Sequence, residues 1–205
     1  MGRPKTNDET VGERLVACAT EWLATRPQET VTVRAVAAAA GTSTTAVYSL
    51  FGGKDGLISA VRDQAVAGLF RAVADVPTSA DPLADIYALA TAYRHWGLEH
   101  RHLYTVLFGG VQSFKPSDTV GTSDPVRPLT AAIDRAVAES VLDGPAPSIA
   151  LSLWVTLHGL VTLELAGALD APTARAAFKS TIHAALRGWT TPAVFRGLRE
   201  AEPTP

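Results

Sequence analysis

Hydroxyl-bearing side chains dominate one short, uncharged stretch of this 205-residue chain. A hydroxyl can donate a hydrogen bond to a base edge or accept one from it, and the methyl group of threonine can contact the methyl group of thymine. A short helix that presents such side chains can enter the DNA major groove with its N-terminal end. We therefore expect a DNA-reading face formed by Thr42, Ser43, Thr44, Thr45, Tyr48 and Ser49.

Basic and phenolic side chains stand beside this stretch at positions suited to DNA phosphates. Arg34 lies near the start of the preceding predicted helix, and Lys54 lies at the start of the following one, where the helix dipole also favours an anion. We expect Arg34, Tyr48 and Lys54 to contact phosphates. Such contacts fix the position of a protein on DNA and carry no sequence information directly.

Capping residues and glycines mark the helices that must position these side chains. Thr32 is a predicted N-cap, and Gly41 ends the helix that follows it. Ser43 caps a third helix that runs through Phe51, and two glycines separate that helix from a fourth, which opens near Lys54. Two helices of about eight residues joined by a tight glycine turn have the spacing of a helix-turn-helix.

The overall composition narrows the class of protein. Hydrophobic residues make up 47% of the chain, the formal net charge is -2, and Cys18 is the single cysteine. The chain therefore has enough apolar material for a core, and a disulfide framework or multi-cysteine zinc site is excluded. No nucleophile–base arrangement, glycine-rich phosphate loop or convincing acid pair is present in the sequence. We expect no enzyme, no catalytic residue, no metal and no cofactor.

The pattern of apolar residues favours a cytoplasmic protein. The N-terminus turns acidic at Asp8 and Glu9, where a signal peptide would become apolar. The most apolar stretch, 149–167, carries Ser, Thr, His and Glu side chains, which a membrane span disfavours.

Helical periodicity runs through nearly the whole sequence and predicts an all-α fold. We expect a helix-turn-helix DNA-binding domain over 1–76, followed by a larger helical domain over 77–205. The helix over 148–167 is apolar nearly all round, which predicts deep burial or burial on both sides. A long loop is predicted over 116–128. The other long helices are expected at 82–100, 102–114, 125–142 and 173–189.

The N-terminal motifs resemble those of the TetR/AcrR family of transcriptional regulators. The resemblance covers residues 14–58 and includes the capped second helix, Ala46-Val47-Tyr48-Ser49-Leu50-Phe51, and Gly53-Lys54-Asp55-Gly56-Leu57. The family's frequent Tyr-x-His-Phe occurs here with Leu50 in place of the His, so a phosphate contact at that position is not carried over. Segments 153–167 and 93–108 are similar to the family's WHG-type C-terminal domain.

The resemblance implies a homodimer and, in most members, repression that a small molecule relieves. We expect a near-palindromic double-stranded DNA operator, dimerisation through the last two helices, and a small, mostly apolar effector. The resemblance also implies that the helical domain over 77–205 is a ligand-binding and dimerisation domain, with a ligand cavity in this C-terminal half. Its expected lining is aromatic, with one histidine for the ligand's polar end: Tyr93, Trp96, Tyr104, Phe108, Trp154 and His158.

Other interpretations of these residues stay open at the level of sequence. The aromatic set can be plain core, and His158 can be a buried histidine with satisfied hydrogen bonds. His95, Glu99 and His102 have the spacing of metal ligands on one helix face, but polar residues at a helix terminus are far commoner. The alternative function is a helical ligand-binding or metal-binding protein, or an enzyme, without DNA affinity.

Overall fold

The computed structural model describes residues 5–108, 124–192 and 194, and this part of the chain is almost entirely helical. Nine α-helices and one short 3-10 helix, Gln28–Thr30, account for its regular structure. An isolated antiparallel bridge joins Leu142 to Thr190, and the described residues contain no strand. The predicted all-α fold is confirmed. The helices are α1 (Lys5–Thr25), α2 (Val33–Ala39), α3 (Thr44–Phe51), α4 (Lys54–Ala74), α5 (Pro82–Glu99), α6 (Arg101–Phe108), α7 (Arg127–Ala138), α8 (Ala146–Leu165) and α9 (Ala171–Arg187).

The chain forms two compact units, and each combines separate stretches of sequence. The described part of the first unit comprises residues 5–69 and 100–108, and that of the second comprises 70–99, 124–192 and 194. Helix α6 belongs to the first unit, where it packs against α1. The functional domains predicted over 1–76 and 77–205 remain a proposal.

The first unit is organised around a small apolar core shared by α1, α2, α3 and the beginning of α4. Leu15 of α1, Val36 of α2 and Val47 of α3 have no exposed surface, and Leu57 and Val61 of α4 complete the cluster. Helices as short as α2 and α3, with seven and eight residues, are marginal in isolation, so tertiary packing supplies most of their stability. The core therefore determines which face of α3 meets solvent.

Caps and glycines set the ends of α2 and α3 as predicted. The hydroxyl oxygen of Thr32 accepts a hydrogen bond from the backbone N–H of Ala35, and the Ser43 oxygen accepts one from Ala46, both at 3.3 Å. Gly41 and Gly52 adopt left-handed φ angles of 65° and 72°. That conformation strains residues with a Cβ, so glycine ends these helices at low cost.

Four helices, α5, α7, α8 and α9, form most of the second unit. The predicted helix over 125–142 is shorter in the structure, because Glu139 caps α7 and Ser140 takes a left-handed φ of 57°. The helix predicted over 102–114 is described as far as Phe108. The rest of that prediction, and most of the loop predicted over 116–128, lies outside the described residues.

Asp85 at the start of α5 is the centre of a polar network in the second unit. Its side chain is buried and accepts hydrogen bonds from the Ser79 hydroxyl at 2.7 Å and from the Ser79 backbone N–H at 3.0 Å. It also pairs with the guanidinium of Arg135 on α7. The Ser79 hydroxyl, together with Arg135, lowers the pKa of the Asp85 carboxyl. The network ties the loop before α5 and helix α7 to one carboxylate.

A second ion pair connects α5 to α8. Arg94 donates two hydrogen bonds to the Glu164 carboxylate, from Nε to Oε2 at 2.8 Å and from Nη2 to Oε1 at 2.6 Å. The same guanidinium lies 5.3 Å from the ring centre of Phe178 on α9. Because the pair is bidentate and largely shielded from water, it fixes the relative positions of three helices.

Helix α8 has two apolar faces, and a single chain buries one of them. Ile149, Leu153 and Val161 face the core, whereas Leu151 and Val155 are 58% and 56% exposed. Within the part of the chain that the structure describes, α8 is therefore neither deeply buried all round nor covered on both sides. By length and composition, α8 is also apolar enough to cross a membrane, a test that core helices of soluble proteins pass as well.

Truncating Leu15 should destabilise the first unit, because its side chain is fully buried. We expect Leu15→Ala to lower the free energy of unfolding by about 2–5 kcal/mol through lost apolar burial and the cavity left behind. Denaturant unfolding followed by circular dichroism measures this. Leu50→Ala, at a site that is 37% exposed, should cost less than about 1 kcal/mol. Equal losses in the two variants would contradict this core.

The Asp85 network predicts a pH-dependent contribution to stability. The pKa of the Asp85 carboxyl is lowered from 3.8 in the folded protein. The stabilisation that this carboxylate contributes is therefore fully present above pH 3.8 and is lost as the pH falls through the folded-state pKa. Wild type should exceed Asp85→Asn in unfolding free energy by the largest amount at pH 7, and this difference should shrink in acid. Ser79→Ala should weaken this pH dependence. A difference that stays constant into acid would rule out the network as its source.

Candidate nucleic-acid interface

Helix α3 presents one polar, solvent-facing side. Thr44 and Tyr48 are four residues apart, as are Thr45 and Ser49, so the four side chains share a face. All four are exposed, and the Tyr48 side chain is 60% accessible. Val47 lies on the other side and is fully buried. Four of the predicted DNA-reading residues therefore form one surface.

The other two predicted readers, Thr42 and Ser43, lie in the turn before α3. Thr42 is half-buried and Ser43 is exposed. The Ser43 oxygen is engaged as the N-cap of α3. A hydroxyl carries one donor and two acceptor sites, so the Ser43 O–H can still donate to a phosphate or base. Its first structural role is to fix the start of the helix.

The predicted phosphate contacts differ in their surroundings. Arg34 on α2 is exposed, and the structure places it in the first turn of that helix, next to the hydroxyl cap. Lys54 is half-buried, and its ammonium donates a hydrogen bond of 2.8 Å to the backbone carbonyl of Gln28. Sequence reasoning missed this contact, because nothing local links residues 26 positions apart. An ammonium has three donors, so a phosphate contact by Lys54 stays compatible with it.

A close approach of backbones holds the start of α4 against the end of α3. A Cβ at Gly56 would lie 1.8 Å from the carbonyl oxygen of Phe51. A side chain at this position is therefore excluded unless the two helices separate. The glycine keeps Lys54 next to the end of α3, as the predicted phosphate contact requires.

The predicted effector residues of the second unit include a stacked pair on α8. The rings of Trp154 and His158 are 5.5 Å apart and inclined by 16°. Burial lowers the pKa of His158 and so favours the neutral imidazole, which has one donor and one acceptor nitrogen. Tyr93 and Trp96 on α5 are buried in the same unit.

The remaining two predicted effector residues belong to the first unit. Tyr104 of α6 is buried, and its ring centre lies 4.7 Å from that of Phe108. The aromatic set is thus divided between the two units. A shared ligand site for all six residues remains a prediction.

The three side chains with metal-ligand spacing do not share a helix. Helix α5 ends at Glu99, and His102 lies on α6 in the other unit. His95 and Glu99 are 80% and 59% exposed, with 3.5 Å between Nε2 and Oε2. Among the residues that the structure describes, no group of three or more His, Cys, Asp or Glu side chains could hold a metal ion.

Two family models match the chain and together cover more than half of it. The model described as "Bacterial regulatory proteins, tetR family" matches residues 15–61. The model described as "Tetracyclin repressor-like, C-terminal domain" matches residues 86–186. The first match contains α2, α3 and the start of α4, and the second contains most of α5 through α9. No curated protein sequence matches the chain significantly.

Solved structures share the fold. The TetR family transcriptional regulator PfmR from Thermus thermophilus is 21% identical, with a TM-score of 0.68 over 83% of this chain and 97% of that one. A bacterial regulatory protein of the tetR family from Rhodococcus RHA1 is 16% identical, with a TM-score of 0.69 over 88% and 97% of the two chains. A protein of unknown function from Rhodococcus sp. RHA1 is 25% identical, with a TM-score of 0.63 over 88% and 96%.

The family models, the capped helix-turn-helix and the shared helical fold agree with one another. The resemblance to the TetR/AcrR family that the sequence shows is confirmed. The chain belongs to the TetR family of DNA-binding transcriptional regulators.

Proposed function

We propose that the protein is a homodimeric, ligand-responsive repressor that binds a near-palindromic operator through α3. The observation that carries this proposal is the exposed hydroxyl face of α3, which lies opposite the buried Val47. The protein acts in the cytoplasm and needs no cofactor. It is a regulator and has no catalytic role.

DNA binding by this surface relies on oriented groups more than on net charge. The backbone N–H groups at the start of α3 and its hydroxyls enter the major groove, while Arg34, Tyr48 and Lys54 meet phosphates. The chain carries a formal net charge of -2, and few cations accompany the reading face. Since each neutralised phosphate releases counterions, a small number of phosphate contacts gives a modest salt dependence.

The exposed face of α8 supports dimerisation through the last two helices. Leu151, Val155 and Gly159 are spaced by four residues and share a face. Two of these side chains are large, apolar and more than half exposed, and a Cβ at Gly159 would meet no atom within 4 Å. On α9, Ala176, Ser180 and Ala184 are exposed small residues at the same spacing. Small residues let helices approach closely, so a second copy can cover both surfaces.

Two-fold symmetry then determines how the dimer reads DNA. The two copies of α3 face successive major grooves about 34–36 Å apart or somewhat more, and the operator is nearly palindromic because the dimer is symmetric. A small, mostly apolar effector is proposed to bind near Trp154 and His158 in the second unit. It releases DNA only if it binds the DNA-incompetent state more tightly than the competent one.

Selection of bound fragments from random duplex DNA with the purified protein tests the proposal. We expect enrichment of a near-palindromic site and a complex that contains two protein chains per duplex. Recovery of no sequence above background, with a folded dimer, would contradict DNA recognition. A bound complex with one chain per duplex would contradict the symmetric mode.

Removing single groups from the α3 face should weaken operator binding and leave the dimer intact. For Thr44→Ala or Tyr48→Ala we expect a loss of about 5- to 100-fold in affinity, the range of a base or phosphate contact. Fluorescence anisotropy with the selected duplex measures this, and sedimentation velocity reports the dimer. Thr91→Ala removes an exposed hydroxyl from α5 and serves as the control, with unchanged affinity. Normal binding by both α3 variants would refute the assigned face.

A charged side chain on the exposed face of α8 should weaken dimerisation. We expect Val155→Glu to raise the dimer dissociation constant at least about tenfold, because an unpaired carboxylate would be buried between the chains. Sedimentation equilibrium measures the constant. Leu50→Glu introduces the same charge at an exposed apolar site of the first unit and should leave the dimer unchanged. A fully dimeric Val155→Glu protein would exclude this face as the interface.

A further inference from the structure

We infer that α3 selects its operator half-site mainly by the C5-methyl groups of thymine, and not by bidentate hydrogen bonds to guanine or adenine. The inference rests on the proposed DNA-binding function and names the kind of half-site that function requires. It predicts thymine at the base pairs that the N-terminal end of α3 faces.

The reading face of α3 lacks the side chains that commonly specify guanine, adenine or cytosine. Specific recognition of guanine in the major groove commonly uses Arg or Lys, that of adenine uses Asn or Gln, and that of cytosine uses Asp or Glu. None of these six residue types occurs between Thr42 and Phe51, every residue of which the structure describes. The four exposed side chains of the face are two threonines, one tyrosine and one serine.

The hydroxyl groups of the reading face discriminate only weakly among the bases. A hydroxyl donates or accepts as its partner requires, so serine and threonine bond to any of the bases. The Ser43 oxygen is also committed to the Ala46 N–H as the cap of α3. Hydrogen bonding from this face therefore gives affinity with little preference among the bases.

Two threonine methyl groups lie at the N-terminal end of the reading face. Thr44 and Thr45 are exposed in the first turn of α3, the part of a recognition helix that contacts base edges. Each carries a γ-methyl group beside its hydroxyl. In the major groove the thymine methyl is the apolar feature that distinguishes one base from the others. Methyl-to-methyl contact is thus the discriminating interaction that this face can make.

The phosphate-directed residues do not change this conclusion. Arg34 lies on α2, outside the reading face, and the Lys54 ammonium is hydrogen-bonded to the Gln28 carbonyl. Contacts from such side chains to the DNA backbone position the protein without distinguishing bases. Tyr48 is likewise assigned to a phosphate, so base discrimination by α3 itself is left to Thr44, Thr45 and Ser49.

Replacement of thymine by deoxyuridine tests the inference, because it removes the C5-methyl group and preserves base pairing. Each thymine of the selected operator is replaced in turn, and affinity is measured by fluorescence anisotropy. We expect about a fourfold loss for each contacted methyl, the free energy of burying one such group, and about fifteenfold when the symmetric pair is replaced. Thymines outside the two half-sites are the control and should show no change.

Threonine variants locate the partner of each thymine methyl. Thr44→Ser and Thr45→Ser remove the γ-methyl and keep the hydroxyl. The deoxyuridine penalty is the fold loss of affinity when a thymine is replaced by deoxyuridine. For the serine variant at the position that contacts a sensitive thymine, this ratio should fall to about one. Thr44→Val and Thr45→Val keep a methyl group and should retain the penalty. This pairing separates a direct methyl contact from a change in DNA shape.

The outcomes distinguish this inference from the function on which it rests. Operator binding with no deoxyuridine penalty in either half-site would overturn the inference and leave the regulator intact. Selected half-sites that lack thymine at the base pairs contacted by α3 would also overturn it. An unchanged deoxyuridine penalty in both serine variants would do the same. Absence of binding to any duplex would reject the proposed function together with the inference.

Discussion

Burial of Val47 is the constraint on which the rest of the account depends. Helix α3 has eight residues, too few to be stable alone, so its orientation follows from packing. With Val47 fully buried beside Leu15 and Val36, the opposite face of α3 must point to solvent. Rotating α3 about its axis would expose the valine and bury threonine hydroxyls without partners, which is unfavourable on both counts. The hydroxyl face is therefore fixed by the core.

The parts of the structure that the sequence predicts best are governed by local chemistry. The caps at Thr32 and Ser43 and the left-handed glycine at position 41 lie within a few residues of the groups they satisfy. Their effect can thus be inferred from residue type and spacing alone. The buried and exposed sides of α3 follow for the same reason, because its apolar residues recur with helical spacing. The polar face of the candidate site was predictable to this extent.

Contacts between distant residues could not be predicted from one sequence. Arg94 and Glu164 are 70 positions apart, and Arg135 and Asp85 are 50 apart, so their pairing depends on how the helices pack. Nothing in the sequence near Glu164 identifies Arg94 as its partner. The two faces of α8 also differ only in what packs against them, since both are apolar. The division of the aromatic set between two units is a property of the fold, with no local signal in the sequence.

A DNA-binding protein with a net charge of -2 must obtain specificity from orientation and symmetry. The measurement that tests this most directly is a hydroxyl-radical footprint of the protein on its selected duplex. We expect two symmetry-related protected segments, with centres about one helical turn apart or somewhat more. It also predicts that protection of both segments is lost in a variant with the α3 face altered. A single asymmetric segment, or protection that is unchanged in that variant, would contradict the central claim.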